Sequence, residues 1–184
     1  MLDLTKITFI QAKDFTPGPR SKGPIRVIVM HDMEAPEKGD TAENVARWFS
    51  GGTGSSAHYC VDNDSVVQCV RDSDIAWHAP GANSTGIGIE LAGYAKQGRG
   101  DWLDAFSKQM LDTQAAPLVA ALCKKYAIPA VWLTPAQVAA GARGICGHVD
   151  VTRAYPGKGT HTDPGPGFPR DYFVAAVKKA MAGA

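Results

Sequence analysis

The chain has 184 residues, 45% hydrophobic and 20% charged, with 19 Lys plus Arg against 18 Asp plus Glu. A chain of this length buries roughly two-thirds of its unfolded surface in one core, so a single domain over residues 1–184 is expected. The balanced charge argues against a nucleic-acid partner, and no apolar run approaches the ~20 residues that span a bilayer, so no membrane partner is expected either.

The start, "MLDLTKITFIQAKDF", lacks the basic n-region and apolar heart of a signal peptide, which points to synthesis in a cytoplasm. Residues 1–24 carry Pro17, Pro19, Pro24, Gly18 and Gly23 and read as an irregular lead-in. "RVIVMH" is a β-branched apolar run, a buried strand ending at His31. "DTAENVARWF" reads as a helix capped by Asp40, with Glu43 completing a capping box and Val45, Trp48 and Phe49 on one face. "HYCVDNDSVVQCV" reads as a hairpin with Asp64 and Ser65 as its turn. Asn63 then faces Val66 and Cys60 faces Cys69, close enough for a bridge if oxidised. All four cysteines, Cys60, Cys69, Cys123 and Cys146, read by default as free buried thiols, with the bridge as the alternative for the first pair.

"GIGIEL", Gly86 to Leu91, is a further short strand. Helical spacing runs from Asp104 to Tyr126, with Pro117 marking a kink or a break into two helices. "TPAQVAAG" predicts a short helix with Thr134 as cap, Pro135 at its first position and Gly141 as stop; "RGICGH" then resumes a strand ending at His148. The "DYFVAAVKKAMAG" tail is an amphipathic helix with Phe173, Val177 and Met181 spaced four apart. Strands mixed with helices and a hairpin predict an α/β fold, a mixed central sheet flanked by helices on both faces.

The stretch "GTHTDPGPGF", Gly159 to Phe168, surrounds Asp163 with prolines and glycines. As a lone turn it joins two elements; as a rigid clamp it holds one carboxylate for a metal. His31 and His148 each end an apolar strand, where ligand-binding groups collect in helix-flanked sheets. Two imidazoles and one carboxylate make the three-ligand set that leaves zinc a fourth position. Glu90 is an acid in an apolar strand, costly to bury unless it faces a polar site, though alternation with Ile87, Ile89 and Leu91 also allows a solvent-facing role. His161 falls on the same side of an extended loop as Asp163, and Asp32, next to His31, should point away from the metal.

The blocks "VIVMHDM", "SSAHYCVDNDSVVQCV", "DIAWHAPGANSTGIGIEL", "GICGHVDV" and "HTDPGPGF" resemble, in order, those of zinc-dependent N-acetylmuramoyl-L-alanine amidases, a family that includes the peptidoglycan recognition proteins. The wording of "HTDPGPGF" and "WHAPGAN" is most similar to amidase domains of bacteriophage endolysins, including those of phages infecting mycobacteria. The resemblance implies Zn2+ as cofactor, with His31, His148 and Asp163 as its ligands. It implies hydrolysis of the linear amide between the lactyl group of N-acetylmuramic acid and L-alanine, with bacterial peptidoglycan as partner. It places the catalytic carboxylate at Glu90 and substrate-groove residues at His78 and Asn83.

Where the family more often has lysine this chain has His161, a titratable donor for the oxyanion; where some members have a catalytic tyrosine it has Ala57, with Tyr59 two positions on. His58 reads as structural, Cys146 as packing behind the ligands, and Asp150 as either a ring-orienting group or a turn cap. A monomer is expected, made without a signal peptide and reaching the wall after another protein permeabilises the membrane. A peptidoglycan-binding module that has lost turnover is the alternative.

Overall fold

The computed structural model describes residues 2–20 and 23–183. Its centre is a six-stranded sheet of β1 (Thr8–Phe9), β3 (Val27–Asp32), β4 (Tyr59–Val61), β5 (Val66–Gln68), β7 (Gly86–Leu91) and β8 (Gly144–Gly147), in the order β1-β5-β4-β7-β3-β8. Only the β4–β5 hairpin is antiparallel, so the sheet is mixed. A small antiparallel pair, β2 (Phe15–Thr16) with β6 (Ile75–Ala76), lies beside it. The central strand β3 is buried along its whole length, as its unbroken apolar run requires.

Alternation along the strands divides the core into two sides. Ile28, Met30, Ile87, Ile89, Leu91 and Ile145 pack against α3 (Ala116–Tyr126) and α6 (Arg170–Ala182). On the other side Val27, Val29 and Cys146 pack with Leu133, Val138 and Val151 of the region carrying α4 (Pro135–Ala139) and α5 (His148–Ala154). Cys60, Val67 and Cys69 pack there too, under α1 (Thr41–Ser50). Helices thus cover both faces, and the interruption of the apolar pattern at the ends of β3 and β7 leaves room for polar groups.

Four elements depart from the sequence expectation. The side chain of Asp40 makes no cap bond to α1; Asp62 Oδ2 accepts from Ala42 N at 2.9 Å instead. The inward face of α1 is Ala42, Ala46 and Phe49, because alanines let the helix lie close on the sheet, and Trp48 is left 59% exposed. In the hairpin Val61, not Asn63, faces Val66, with residues 62–65 as the turn; Asp62 Oδ1 accepts from Ser65 N at 2.9 Å and so fixes the longer loop. Cys60 therefore pairs with Val67, although its sulfur still lies 3.7 Å from that of Cys69.

The helix at Pro117 does not break. Between α2 (Ala105–Gln109) and α3 the turn Met110–Ala115 widens into a π-turn, with Ala116 N bonding Leu111 O; the widened turn relieves the clash a proline ring makes with the carbonyl four residues back. Finally, β8 ends at Gly147 and His148 opens α5 instead of closing the strand. Thr134 caps α4 as expected, with Gln137 completing a capping box, and the positive φ of 75° at Gly141 fits the expected stop. Among the described residues no helix is long and apolar enough to cross a membrane.

Candidate active site

His31 and Glu90 face each other in register across β3 and β7, with His31 Nδ1 4.0 Å from Glu90 Oε1. Both side chains emerge on the side of the sheet away from α3 and α6, where β7 presents Gly86, Gly88 and Glu90. Gly88 has a specific reason: a Cβ there would lie 2.5 Å from the ring of His78. The glycine face of β7 is therefore a bed for that imidazole, whose Nδ1 sits 3.1 Å from His31 Nε2. His78 thus fixes the outer nitrogen of His31 and leaves Nδ1 turned to the cleft, the usual way a ligating histidine is oriented.

His148 arrives from the start of α5. Gly147 lets the chain pass close, since a Cβ there would meet Pro164 at 2.9 Å, and Val149 N donates to Asp163 O at 3.0 Å. The "DPGPG" loop is pressed still closer against residues 95–98: a Cβ at Gly165 would lie 1.9 Å from Ala95 O, and one at Gly167 2.1 Å from Gln97 O. The loop's stiffness is thus matched by backbone contact that only glycine permits. It delivers Asp163 Oδ2 to 2.9 Å from His31 Nδ1 and Oδ1 to 3.3 Å from His148 Nδ1.

The candidate ligand atoms of His31, His148 and Asp163 lie within 4.8 Å of one another, close enough for all three to serve one ion. Their protonation suits a cation. Burial works to raise the Asp163 pKa, but hydrogen bonds and charge from His148 and His31 outweigh it and hold the carboxyl well below the usual range. Burial lowers the pKa of His148, which favours the neutral ring that ligates. The donor set and geometry fit a zinc ion with an open position.

Around these three groups, further polar atoms are buried without partners: Glu90 Oε2, Asp32 Oδ2 and His78 Nε2. Burial, then the charges of Asp163 and Asp32, push the Glu90 pKa well above that of an ordinary carboxyl. Burial likewise raises Asp32 to about 7. Asp32 lines the cleft, against the strand-alternation expectation, because β3 ends there and its Oδ1 turns back to accept from Glu34 N at 3.1 Å.

The spacer after His148 forms α5 and then returns, so that His161 stacks on the His148 ring at 4.0 Å with an interplanar angle of 17°. Its Nδ1 is 3.8 Å from Asp163 Oδ1, and its side chain is 55% exposed at the mouth of the cleft. Burial and the neighbouring His148 lower its pKa, so the ring is chiefly neutral at pH 7.

Other singled-out residues lie elsewhere. Asn83 Oδ1 accepts from His78 N at 3.1 Å and Ala79 N at 2.6 Å, so it ties down the loop carrying His78 and does not line the cleft. Asp150 caps α5, accepting from Gly147 N and from Trp132 Nε1, both at 2.9 Å, and orients no ligand ring. Tyr59 turns to the α3 side and donates to Asp72 at 2.7 Å, far from any role that alternation with Ala57 suggested. His58 accepts from Gly88 N at 3.0 Å and packs against His78, a structural post. Cys146 packs among Val27, Val29 and Val151, and burial pushes its thiol pKa up.

The cleft, about 400 Å³, is completed by residues the sequence did not single out, among them Glu34, Phe49, Ser55 and Trp77. Trp77 adjoins His78 in "AWHAPG", a signal that was available; Glu34 and Phe49 reach the cleft only through the fold.

Residues 21–166 match a family profile described as N-acetylmuramoyl-L-alanine amidase. A Bacillus licheniformis protein, N-acetylmuramoyl-L-alanine amidase CwlL, is 29% identical over 139 residues, 65% of this chain and 36% of that one. A second from the same organism, a probable N-acetylmuramoyl-L-alanine amidase, is 30% identical over 123 residues, 58% of this chain and 32% of its own. The chain thus spans about a third of the length of the curated relatives it matches. Among solved structures, Staphylococcus aureus hydrolase AmiA in complex with its ligand superposes with a TM-score of 0.70 at 17% identity, covering 98% of this chain and 85% of that one. A selenomethionine derivative of AmpD gives 0.65 at 23%, covering 96% and 99%. At such identities the structures show the shared fold.

Proposed function

Because the chain belongs to the N-acetylmuramoyl-L-alanine amidase family, we propose that it hydrolyses the amide joining the lactyl group of N-acetylmuramic acid to L-alanine in bacterial peptidoglycan, with zinc held by His31, His148 and Asp163. The observation that carries this reading is the convergence of those three groups, from three separate parts of the chain, on one point beside a buried carboxyl with a free oxygen.

Bound there, zinc supplies Lewis acidity toward the scissile carbonyl and a nucleophile at neutral pH. Glu90 handles the proton: its Oε2 is unengaged and its raised proton affinity suits a group that takes a proton from attacking water and returns it to the L-alanine nitrogen as the C–N bond breaks. His161, neutral at pH 7 and stacked beside the ligands, donates an N–H to the charge growing on the carbonyl oxygen. His78 holds the His31 ring in place, and Asn83 holds His78.

The likeness of "HTDPGPGF" and "WHAPGAN" to phage endolysin wording supports a role in host lysis, with access to the wall after membrane permeabilisation. Purified peptidoglycan incubated with the protein is expected to release new L-alanine amino termini and no new reducing sugars; new reducing ends without new amino termini would make the protein a glycosidase. Binding without release, unchanged by added zinc, would make it a non-catalytic module.

A further inference from the structure

Among the described residues, the irregular lead-in before β3 contributes no side chain to the metal cleft. Yet residues 15–20 are fastened repeatedly to one stretch, residues 72–83, which carries Trp77 and His78. Strand β2 pairs with β6, Thr16 Oγ1 accepts from Trp77 Nε1 at 2.9 Å, and Gly18 N donates to Asp74 Oδ1 at 2.8 Å. A Cβ at Gly18 would lie 2.5 Å from Ser73 O, so the two stretches meet at backbone distance.

Arg20 closes this strap, and its planar guanidinium reaches three separate places. Nε donates to Asp72 O at 2.8 Å, Nη1 donates to Asn83 O at 3.2 Å, and Nη2 lies 2.7 Å from His58 Nε2. None of the three is a carboxylate, and burial lowers the arginine's pKa although the charge of nearby Asp72 opposes it. A cation set among neutral acceptors is costly, and a rigid fork is kept there where it holds together parts that must not move apart. What two of those parts share is His78. Asn83 Oδ1 accepts from His78 N and Ala79 N, and the His58 ring meets the His78 ring edge-on at 5.6 Å between centroids. His78 Nδ1 in turn lies 3.1 Å from His31 Nε2, so the seat of His78 decides how the His31 ring is turned.

Resting on the amidase reading, we propose that residues 15–20 are a positioning strap for the metal centre. Arg20, acting through Asn83 and His58, holds His78 behind His31 and so sets how tightly zinc is bound. The strap precedes residues 21–166, so this support comes from outside the part of the chain that matches the family profile.

The test measures zinc affinity by competition with a chromophoric chelator for the wild type, Arg20→Met, Arg20→Lys and Asp72→Ala. Arg20→Met keeps an apolar stem and loses every donor; Arg20→Lys keeps the charge and loses the fork. Zinc binding is expected to weaken about tenfold in the first and at least about threefold in the second, the low end of what losing a group behind a metal ligand costs. The ligand-field bands of the cobalt-loaded protein are expected to shift in Arg20→Met as the His31 ring turns. Asp72→Ala keeps the backbone oxygen that Arg20 uses while removing a buried network, and is expected to bind zinc as the wild type does. Wild-type affinity in Arg20→Met, or in Arg20→Lys should the methionine variant not fold, overturns the strap; so does equal weakening in Asp72→Ala, which would mark general loosening. If the wild type itself binds no zinc, the metal reading fails, and amide hydrogen exchange at His78 and Ala79 decides the strap. Exchange about tenfold faster in the folded Arg20 variant sustains it, and unchanged exchange overturns it.

Discussion

Two carboxylates on opposite sides of the sheet, Asp72 buried and Asp163 partly buried, have contrasting surroundings. Asp72, on the α3 side, receives Tyr59 OH and Tyr126 OH at 2.7 Å, Lys125 Nζ at 2.9 Å and Gln68 Nε2 at 3.3 Å. Burial works to raise its pKa, but these bonds prevail and lower it. Across the sheet, Asp163 lies against His31 and His148 while Glu90, Asp32 and His78 keep buried atoms without partners. A satisfied network ties elements together; an unsatisfied one, packed with groups that disfavour each other's charge, waits for a cation and a substrate. The contrast separates a structural polar cluster from the candidate catalytic one.

The sharpest way to break the comparison is at Glu90. Glu90→Gln keeps shape and leaves the three ligands untouched, so metal content is expected to stay at wild-type level while kcat falls by about 10²–10⁴, measured as amide release. A fall below tenfold would return Glu90 to the merely structural class. The mirror experiment is Asp72→Ala, which strands two phenols, an amide and an ammonium; it is expected to cost about 2–4 kcal/mol in denaturant unfolding, with turnover per folded molecule and metal content retained.

A third test uses pH on chelator-treated protein. Asp32 is raised to about 7 when folded, so the folded state keeps a proton that the unfolded chain has released above its ordinary value near 4. The contribution of this group to stability is therefore expected to fall as pH rises from 4 to 7, by about 3 kcal/mol, and Asp32→Asn is expected to remove that part of the slope. Smallest is His161→Ala, expected to lower kcat about tenfold. Since the His161 pKa is lowered from its ordinary value near 6.5, its contribution at and above neutrality is that of a neutral donor, and the wild-type to variant ratio should hold steady between pH 7 and 8.

Sequence reading reached the strands, and picked out the three groups that the fold brings together, because buried β3 and the glycine-proline loop leave strong local marks in composition. On α1 it had Phe49 and Val45 facing the core but placed Trp48 there wrongly, since Trp48 outweighs Ala42 and Ala46 in any apolar count while the fold needs small residues against the sheet. It set the hairpin register two residues off, because Asp62 serves both the turn and the N-terminus of α1, a tertiary economy that no local pattern shows. Asp32 escaped for a similar reason: alternation applies within a strand and lapses at its last residue. By pattern alone Glu90 could be singled out but not assigned, because the alternation of Gly88 and Glu90 serves equally for a solvent face or for the bed of His78; its catalytic assignment came from the family resemblance.

The central claim is that His31, His148 and Asp163 grip one zinc ion on which hydrolysis depends. Bound metal measured on purified wild type, His148→Ala and Asp163→Ala, with amide release from peptidoglycan on the same samples, tests it directly. The account predicts about one zinc per wild-type chain, loss of most of it in both variants, and loss of amide release in parallel. Wild-type levels of release from either metal-depleted variant would contradict it.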